Sequence, residues 1–340
     1  MRVLLTLLTL LWLATVSTTP AWAAAQGAAL ITILEGSAQV IRGTDTAPAT
    51  PGMVLVRGDI VNTSADNGLV RIEFADQVML DLGPGTRVLL RPPVKPANGV
   101  GEAHAYLLTG FAKLTAASHS ASTGLDTGSV NNARVLTPHI EIITGKVCLL
   151  EVQANAAERR TQVFAETGES RALPRPGGRA ADTAAPVLKS GQWLSAAAGS
   201  APRVSDQPTS LWLQSVPAAL RDSLGARAAR FAALRQTFKK ETEVSYADVG
   251  MWLQAEPALR AALLPRWKAR SSNAAFRAAV VSGMRFHPEW DRVLFPEKYR
   301  PKQCKGGGPK CRKPAVQMSL RNASSTLAAS SGVIRPWSFA

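Results

Sequence analysis

The sequence predicts a β + α protein, with an N-terminal all-β domain at 28–195 and a small all-α domain at 211–299. Two observations predict the β part: polar and apolar side chains alternate in "GLVRIEFA" (68–75), and several short apolar runs end at a glycine. The α part is predicted because, from Leu211 onward, apolar residues recur near the 3.6-residue period of a helix. A hydrophobic content of 46% is sufficient for packed cores.

Residues 1–23 have the features of a cleavable export signal. A short positive start, Met1-Arg2, precedes an apolar run at 3–16, and the small-x-small pattern that signal peptidase cuts ends at Ala23. A run of this length is too short to cross the ~30 Å hydrocarbon layer comfortably as a helix. We therefore expect a bacterial periplasmic protein with no transmembrane segment in the mature chain.

The net charge of +15 is concentrated at the C-terminus. From Lys298 onward there are nine Lys or Arg residues and no acidic residue, so 300–340 is predicted to be a basic, low-complexity tail. Such a tail is either a solvated end or a segment drawn to an anionic envelope surface. Nucleic acid is not a predicted partner, because the basic residues lack interleaved aromatic side chains and export removes that partner.

The three cysteines fall into two groups. Cys304 and Cys311 bracket the flexible stretch "KGGGPK", and in an oxidising compartment this pair is predicted to close a disulfide. A metal site at this pair is not predicted, since the tail contains neither a second cysteine pair nor a histidine. Cys148 lies in the strand-like run "GKVCLLEV" and is predicted to be a small buried residue.

A weak internal recurrence places a glycine in the middle of a strand pattern. Glycine costs stability there unless the chain bends or another backbone approaches closely. The recurrence therefore favours strands that turn corners in a sandwich or a coiled β-stack. Its four copies are "ITILEGSAQVI" (31–41), "AYLLTGFAKLT" (105–115), "IEIITGKVCLL" (140–150) and the shorter "VLKSGQWLS" (187–195).

Composition predicts the loops and the linker. Three stretches rich in Pro, Gly, Ser, Thr or Ala and Arg are predicted as long loops within the β domain, at 91–103, 116–132 and 153–186. A further stretch of this kind at 196–210 is predicted to be the linker to the helical domain.

Helix signals follow the linker. Leu220, Leu224, Ala228, Phe231, Leu234 and Phe238 recur at helical spacing after Pro217. Ser245 with Asp248 resembles a capping box, Pro257 opens a helix that Pro265 is expected to end, and Asn273 and Gly283 bound another. Four tryptophans are predicted to anchor a helical core: Trp212, Trp252, Trp267 and Trp290.

The tripeptide Arg57-Gly58-Asp59 is predicted to be a corner between two strands. Glycine tolerates a positive φ there, and the aspartate can accept hydrogen bonds from backbone amides just downstream. Thr63 and Gly68 belong to the same structural motif, which continues through the next turn. An adhesion role is not predicted, because so short a motif matches often by chance.

No constellation of catalytic or metal-binding residues is recognisable, and no cofactor is predicted. The histidines His104, His119, His139 and His287 are scattered without metal-ligand spacing. Asp59, Asp66, Asp76 and Asp81 lie in one β stretch and could gather around a cation, but turn positions and solvent-facing strand positions are the favoured interpretation.

The stretch from Gly58 to Thr86 resembles the FecR domain, named for the ferric-citrate regulator. The matching residues are Gly58, Asp59, Val61 and Thr63, followed by a strand at 70–74 and a strand at 77–86; "ADQ" (75–77) departs from the family's Asp-Gly-Ser. The later "TPHIEIITGKVCLLEV" and "VLKSGQWLS" resemble the closing strands, so the resemblance covers about 30–195. The helical remainder looks like an extension of exported FecR-domain proteins from proteobacteria.

The resemblance implies a periplasmic β domain that senses or binds. In the regulator, a cytoplasmic segment and a membrane helix connect this domain to a sigma factor; here a signal peptide takes their place. The leading hypothesis is therefore a non-enzymatic binding or scaffold module of the cell envelope, with a protein or glycan as partner. The alternatives are a component of trans-envelope signal transduction and, less favoured, an enzyme acting on envelope polymers.

Overall fold

The computed structural model describes residues 29–300, apart from 67, 95, 97–101, 117–131, 155–158, 176–184, 199, 223 and 232–233. Within this part of the chain, the residues up to Pro296 form one compact unit, and those from Glu297 belong to a second. The protein is mostly β, with a curled, largely antiparallel sheet and a few helices after residue 209. None of the described helices is long and apolar enough to span a bilayer.

The eighteen described strands, numbered along the chain, form two ladders that share β9 (Ala105–Thr115). The N-terminal half of β9 pairs with the second ladder and its C-terminal half with the first. All neighbours are antiparallel except β9 and β10. The first ladder runs β4 (Val54–Leu55), β1 (Ala29–Glu35), β6 (Leu69–Phe74), β7 (Met79–Leu82), β9, β12 (Val147–Ala154), β13 (Arg159–Thr167), β16 (Trp193–Ala197) and β17 (Arg203–Ser205). The second ladder runs β18 (Thr242–Glu243), β3 (Asp45–Pro48), β2 (Ala38–Arg42), β5 (Ile60–Thr63), β8 (Arg87–Leu90), β9, β10 (Ala133–Leu136), β11 (Ile140–Thr144), β14 (Ser170–Pro174) and β15 (Val187–Leu188).

The recurrent glycines mark the points where the chain passes between ladders. Gly36 separates β1 from β2, Gly145 separates β11 from β12, and Gly191 separates β15 from β16. Gly110 lies inside β9, where the pairing changes; its φ is +96°, and a Cβ there would come within 2.5 Å of the Thr86 Cα. The predicted strand corners are therefore present. The choice between a sandwich and a coiled β-stack stays a prediction.

The helices begin where the sequence signals them after residue 244. Ser245 and Asp248 form a capping box, Asn273 accepts a hydrogen bond from the Phe276 amide, and Pro257 occupies a first-turn position. The helices are α1 (Ser210–Ser215), α2 (Tyr246–Leu253), α3 (Pro257–Trp267), α4 (Ala274–Ser282) and α5 (Asp291–Leu294). Short 3-10 turns occupy Ala218–Leu220, Ala228–Phe231, Lys268–Ser272, Met284–Phe286, Pro288–Trp290 and Pro296–Tyr299.

Four expectations about secondary structure were wrong. The predicted loop at 153–186 contains β13 and β14, because Val163, Ala165 and Ala172 alternate into the core. The predicted linker at 196–210 contains the end of β16 and all of β17. The residues from 217 to 238 are not one helix: between two 3-10 turns the described residues form a turn, a bend and irregular chain. Finally, α3 continues through Pro265 to Trp267.

Three buried hydrophobic clusters hold these layers together. The first lies between the ladders and takes residues from both, such as Ile72 and Leu107. The second joins the second ladder to the helices, packing Ile60 with Trp252 and Trp267. The third joins the first ladder to the segment around α1. The boundaries of the predicted domains stay a prediction, but the β and helical segments share a core.

Candidate functional site

The Gly58-Asp59 corner is built from local backbone geometry and one buried carboxylate. Gly58 has a φ of +82° in the turn between β4 and β5. Asp59 is only 1% exposed, and its carboxylate accepts hydrogen bonds from Arg42 Nε at 3.0 Å and Arg42 Nη2 at 2.7 Å. It also accepts from the Val56 amide at 2.8 Å. The Val56 amide lies upstream of Asp59, whereas the sequence predicted acceptance from amides just downstream. The hydrogen bond between this amide and the Asp59 carboxylate closes the turn.

Helix α3 packs against the same corner. Arg266, on α3, donates hydrogen bonds to the carbonyls of Gly58, Gly43 and Ile41. Burial lowers the pKa of Arg266 to about 10, partly offset by the charge of Asp59. The corner is thus a packing site between the second ladder and α3. Asp59 is too buried to be read by an adhesion receptor.

The remaining residues of the predicted motif also have structural contacts. The Thr63 hydroxyl donates to the Gly83 carbonyl at 2.6 Å and accepts from the Thr86 amide at 2.8 Å, which ties β5 to the start of β8. Gly68 lies so close to the Glu35 carbonyl oxygen that a Cβ would come within 2.1 Å of it. Cys304 and Cys311 lie outside the described residues, and their disulfide stays a prediction. Cys148 is a free, buried cysteine.

The four aspartates of the β stretch do not gather. Asp59 pairs with Arg42, Asp81 with Arg71, and Asp76 with His104 at 2.8 Å, whereas Asp66 is exposed. Within the part of the chain that the structure describes, no group of three or more His, Cys, Asp or Glu side chains is placed to hold a metal ion. Of the histidines, His139 contacts the Thr161 hydroxyl, His287 is fully buried, and His119 is outside the described residues.

The most concentrated group of buried charges lies on the outer face of the first ladder. Arg71 and Asp81, on neighbouring strands, form a bidentate pair with both N–O distances at 2.6 Å. Thr32 donates to Glu73 at 2.7 Å, and Lys113 lies 2.9 Å from Glu166. We call this group the platform; its members are Thr32, Arg71, Glu73, Asp81, Lys113 and Glu166. The first five are at most 4% exposed, although a turn position or a solvent-facing strand position was the favoured interpretation for Asp81.

The platform is buried because described residues between Leu220 and Ala228 lie over it. They belong to the segment 210–238, which we call the strap. Arg71 Nη1 donates to the carbonyls of Leu224 at 2.7 Å and Gly225 at 3.0 Å. Lys113 Nζ donates to the carbonyls of Leu220 and Asp222 at 3.2 and 3.3 Å. The Glu73 carboxylate accepts from the amides of Arg227 and Ala228 at 2.8 to 3.0 Å.

The electrostatics of the platform favour ionised, paired groups. Burial alone would lower the pKa of the Arg71 guanidinium, but the hydrogen bonds and charge of Asp81, with the charge of Glu73, outweigh it, so the pKa is raised. Such an arrangement holds peptide groups in place. Its carboxylates and cations are engaged in hydrogen bonds to one another and to the backbone of the strap.

A second surface lies where the first ladder ends. β17 pairs with β16, and no described strand pairs with its other edge. α1 lies on the face of the ladder that carries Trp193 of β16: Trp212 of α1 contacts Trp193, with ring centroids 6.4 Å apart. We use the name edge surface for the open edge of β17 with its exposed Val204 (41%), together with the exposed apolar residues of the nearby α1, Leu211 (80%) and Leu213 (47%).

Sequence reasoning missed both surfaces. The platform could have been suspected from the charged residues that alternate with apolar ones in β6 and β7, but an alternating pattern does not show whether the polar face is covered. The edge surface lies in the predicted linker and at its end, where the short run "RVS" of β17 is too polar to be recognised as a strand.

Comparison with known proteins gives a partial likeness only. Neither a family model nor a curated protein matches the sequence, so the FecR resemblance stays a prediction. Two crystal structures of a "putative anti-sigma factor" from Parabacteroides distasonis are similar, each with 12% identity and a TM-score of 0.31 over 46% of this chain. The chain spans 64% and 65% of the lengths of those two structures. A likeness at this level does not define a function.

Proposed function

We propose that this chain is a non-enzymatic, exported binding module whose partner is a protein of the cell envelope. The observation that carries the proposal is the edge of β17 that no described strand pairs, which bears the exposed Val204, with the exposed Leu211 and Leu213 on the nearby α1. An open edge is a template for another chain, and neighbouring apolar residues add affinity to the backbone hydrogen bonds. The buried carboxylates Asp59 and Asp81 are each paired with an arginine side chain. Such structural pairing supports a binding module.

Crosslinking in intact cells tests the proposal. A photo-reactive amino acid at Leu211 or Val204 should capture a discrete protein partner, because these positions are the most exposed apolar residue of α1 and the middle of the open strand. Val281, which is 42% exposed on α4, provides a matched control with similar exposure outside the edge surface. Equal capture at Val281 would count against the edge surface, and capture of glycan strands alone would replace the protein partner with a glycan.

Signal transduction is the second candidate, and it uses the same binding module. The observation that favours it is the Gly58–Thr86 stretch, whose motif resembles the domain named for the ferric-citrate regulator. Co-purification separates the two roles. A specific inner-membrane sensor bound to the full chain would favour signalling, whereas retention on isolated peptidoglycan sacculi would favour the scaffold role.

A further inference from the structure

We propose that the platform is a binding site for a peptide segment, filled here by the chain's own strap, and that a segment of a partner protein takes the strap's place. The inference rests on the proposed binding role and adds a second mode of engagement to it. Three observations lead to it: the platform contacts the strap through backbone atoms, the strap sequence favours a different structure, and the apolar attachment beside the platform comes from the N-terminal part of the strap.

The contacts at the platform are to the backbone of the strap. Arg71 and Lys113 reach four carbonyl oxygens, and Glu73 reaches two amides, all between Leu220 and Ala228. Backbone groups are common to every sequence, so another extended segment can satisfy the same donors and acceptors. The platform also requires such a ligand, because its buried charges would otherwise lose their hydrogen-bond partners.

The strap sequence favours a helix that the structure does not contain. Residues 217–238 carry an apolar stripe at helical spacing and many Ala, Leu and Arg residues, which have high helix propensity. In the structure the stripe is divided, since Leu220 is 1% and Leu234 63% exposed. Segments whose intrinsic secondary-structure preference differs from their native conformation are expected mainly at functional sites. A released strap can form an amphipathic helix, which offsets part of the loss of its platform contacts.

Beside the platform, the apolar attachment of the strap comes from its N-terminal part. Trp212, Val216 and Leu220 are buried in the cluster with Leu149 of β12, and the partly buried Leu224 packs against that cluster. The described residues from Arg221 to Gly225 have no helix or strand of their own. The C-terminal part is held away from the platform, where Phe238 packs against the first cluster. A competing segment with apolar residues at similar spacing could therefore take the place of the strap up to Ala228.

A synthetic peptide tests this directly. The probe is the strap sequence TSLWLQSVPAALRDSLGARAARF (209–231) with a fluorescent label, added in excess to the full-length protein. A second peptide carries N-methyl groups on the amides that correspond to Arg227 and Ala228, which removes both donors to Glu73. A third has alanine in place of Arg227 and a normal backbone. Hydrogen exchange of residues 220–231 in the protein reports whether its own strap is displaced.

The expected result is saturable binding of the unmodified and alanine peptides, with loss of protection in the protein's strap and a gain in helical circular dichroism. N-methylation should weaken binding at least about tenfold, since two charge-assisted hydrogen bonds are lost. W212A in the protein should strengthen peptide binding by loosening the resident strap, whereas Q214A, at an exposed position of the same helix, should not. If W212A does not fold, V216A takes its place.

Three results would overturn the inference: no peptide binding to the wild-type or loosened protein, equal binding of the N-methylated peptide, or binding that leaves the strap protected. None of these results bears on the open edge of β17, whose separate test is capture of a partner at Val204, outside the strap. The proposed function and this inference can therefore fail separately.

Discussion

At the scale of single residues, Asp59 is the most consequential member of the corner motif. Removing its carboxylate in Asp59→Ala takes away two charge-assisted bonds from Arg42 and leaves the Val56 amide without its acceptor. We expect a loss of about 2–4 kcal/mol in the free energy of unfolding. Gly58→Ala should cost about 1–2 kcal/mol, the strain of a positive φ. Urea denaturation of both variants, with exposed Asp66→Ala as the control, measures the difference.

The sequence alone predicts that Gly58→Val destabilises the protein more than Asp59→Ala does. The structure adds a reason for a large penalty at Asp59. A β-branched residue does resist a positive φ, but an added Cβ at Gly58 has nothing closer than 4.0 Å. The Asp59 carboxylate, in contrast, is buried, and both of its oxygens accept hydrogen bonds. If Asp59→Ala proved as mild as Asp66→Ala, the corner would not depend on the carboxylate.

The half-buried His139 and the fully buried His287 predict that the protein loses stability in acid. Burial lowers the pKa of His139 to about 4, aided by Arg159; burial also lowers the pKa of His287, with Arg260 acting in the same direction and Glu289 against it. Because the folded-state pKa lies below the ordinary value of 6.5, the unfolded chain binds more protons in this range. Stability is fully present above about pH 6.5 and falls as the pH drops towards 4.

The measurement is the urea midpoint at pH 7, 6 and 5. We expect the midpoint to fall over this range in the wild-type protein and to fall less in His139→Asn, whose amide can still contact the Thr161 hydroxyl. A wild-type midpoint that stays constant from pH 7 to pH 5 would show that these imidazoles are not held neutral by the fold.

At the scale of elements, the ladder crossings make a matched pair of glycine substitutions informative. Gly110 and Gly191 both have positive φ, at +96° and +85°. A Cβ at Gly110 would meet the Thr86 backbone at 2.5 Å, whereas a Cβ at Gly191 would meet nothing within 4 Å. We expect Gly191→Ala to cost about 1–2 kcal/mol and Gly110→Ala roughly 2–5 kcal/mol. Thermal denaturation of the two variants measures this, and equal costs would mean that β9 can move away from β8.

The elements also show how far sequence reasoning reaches. The strand corners and the helix starts at Ser245, Pro257 and Asn273 could be predicted, because alternation, glycine and capping signals act locally. The strap could not, since its helical pattern is overridden by contacts to Arg71 and Glu73, which are distant in sequence. For the same reason, the alternation of polar and apolar residues identified the polar face of β6 but did not identify the segment that covers it. The residues of the corner motif could be predicted from the sequence, whereas the contact of this corner with Arg266 could not.

At the scale of the whole molecule, the shared cluster predicts that the β and helical segments lose structure together. Ile60, on β5, is fully buried against the helices. We expect Ile60→Ala to cost about 2–5 kcal/mol. In this variant, hydrogen-exchange protection should fall in both α3 and β1, because elements of a single cooperative unit open together. Val204→Ala, on the exposed edge strand, is the control. Unchanged protection of α3 in Ile60→Ala would show instead two independently stable domains, as the sequence predicted.

The order in which the polypeptide is made gives this arrangement a further consequence. The described strands of both ladders, except for the two-residue β18, come before residue 210 in the chain. Among the described residues, the strap and α2 to α5 cover their outer faces. A nascent chain that ends at residue 209 would present Ile41 and Leu89 on one side and bare charges on the other. Such a chain should depend on chaperones, because exposed apolar strands aggregate. Premature termination would therefore yield an insoluble fragment rather than a smaller working protein.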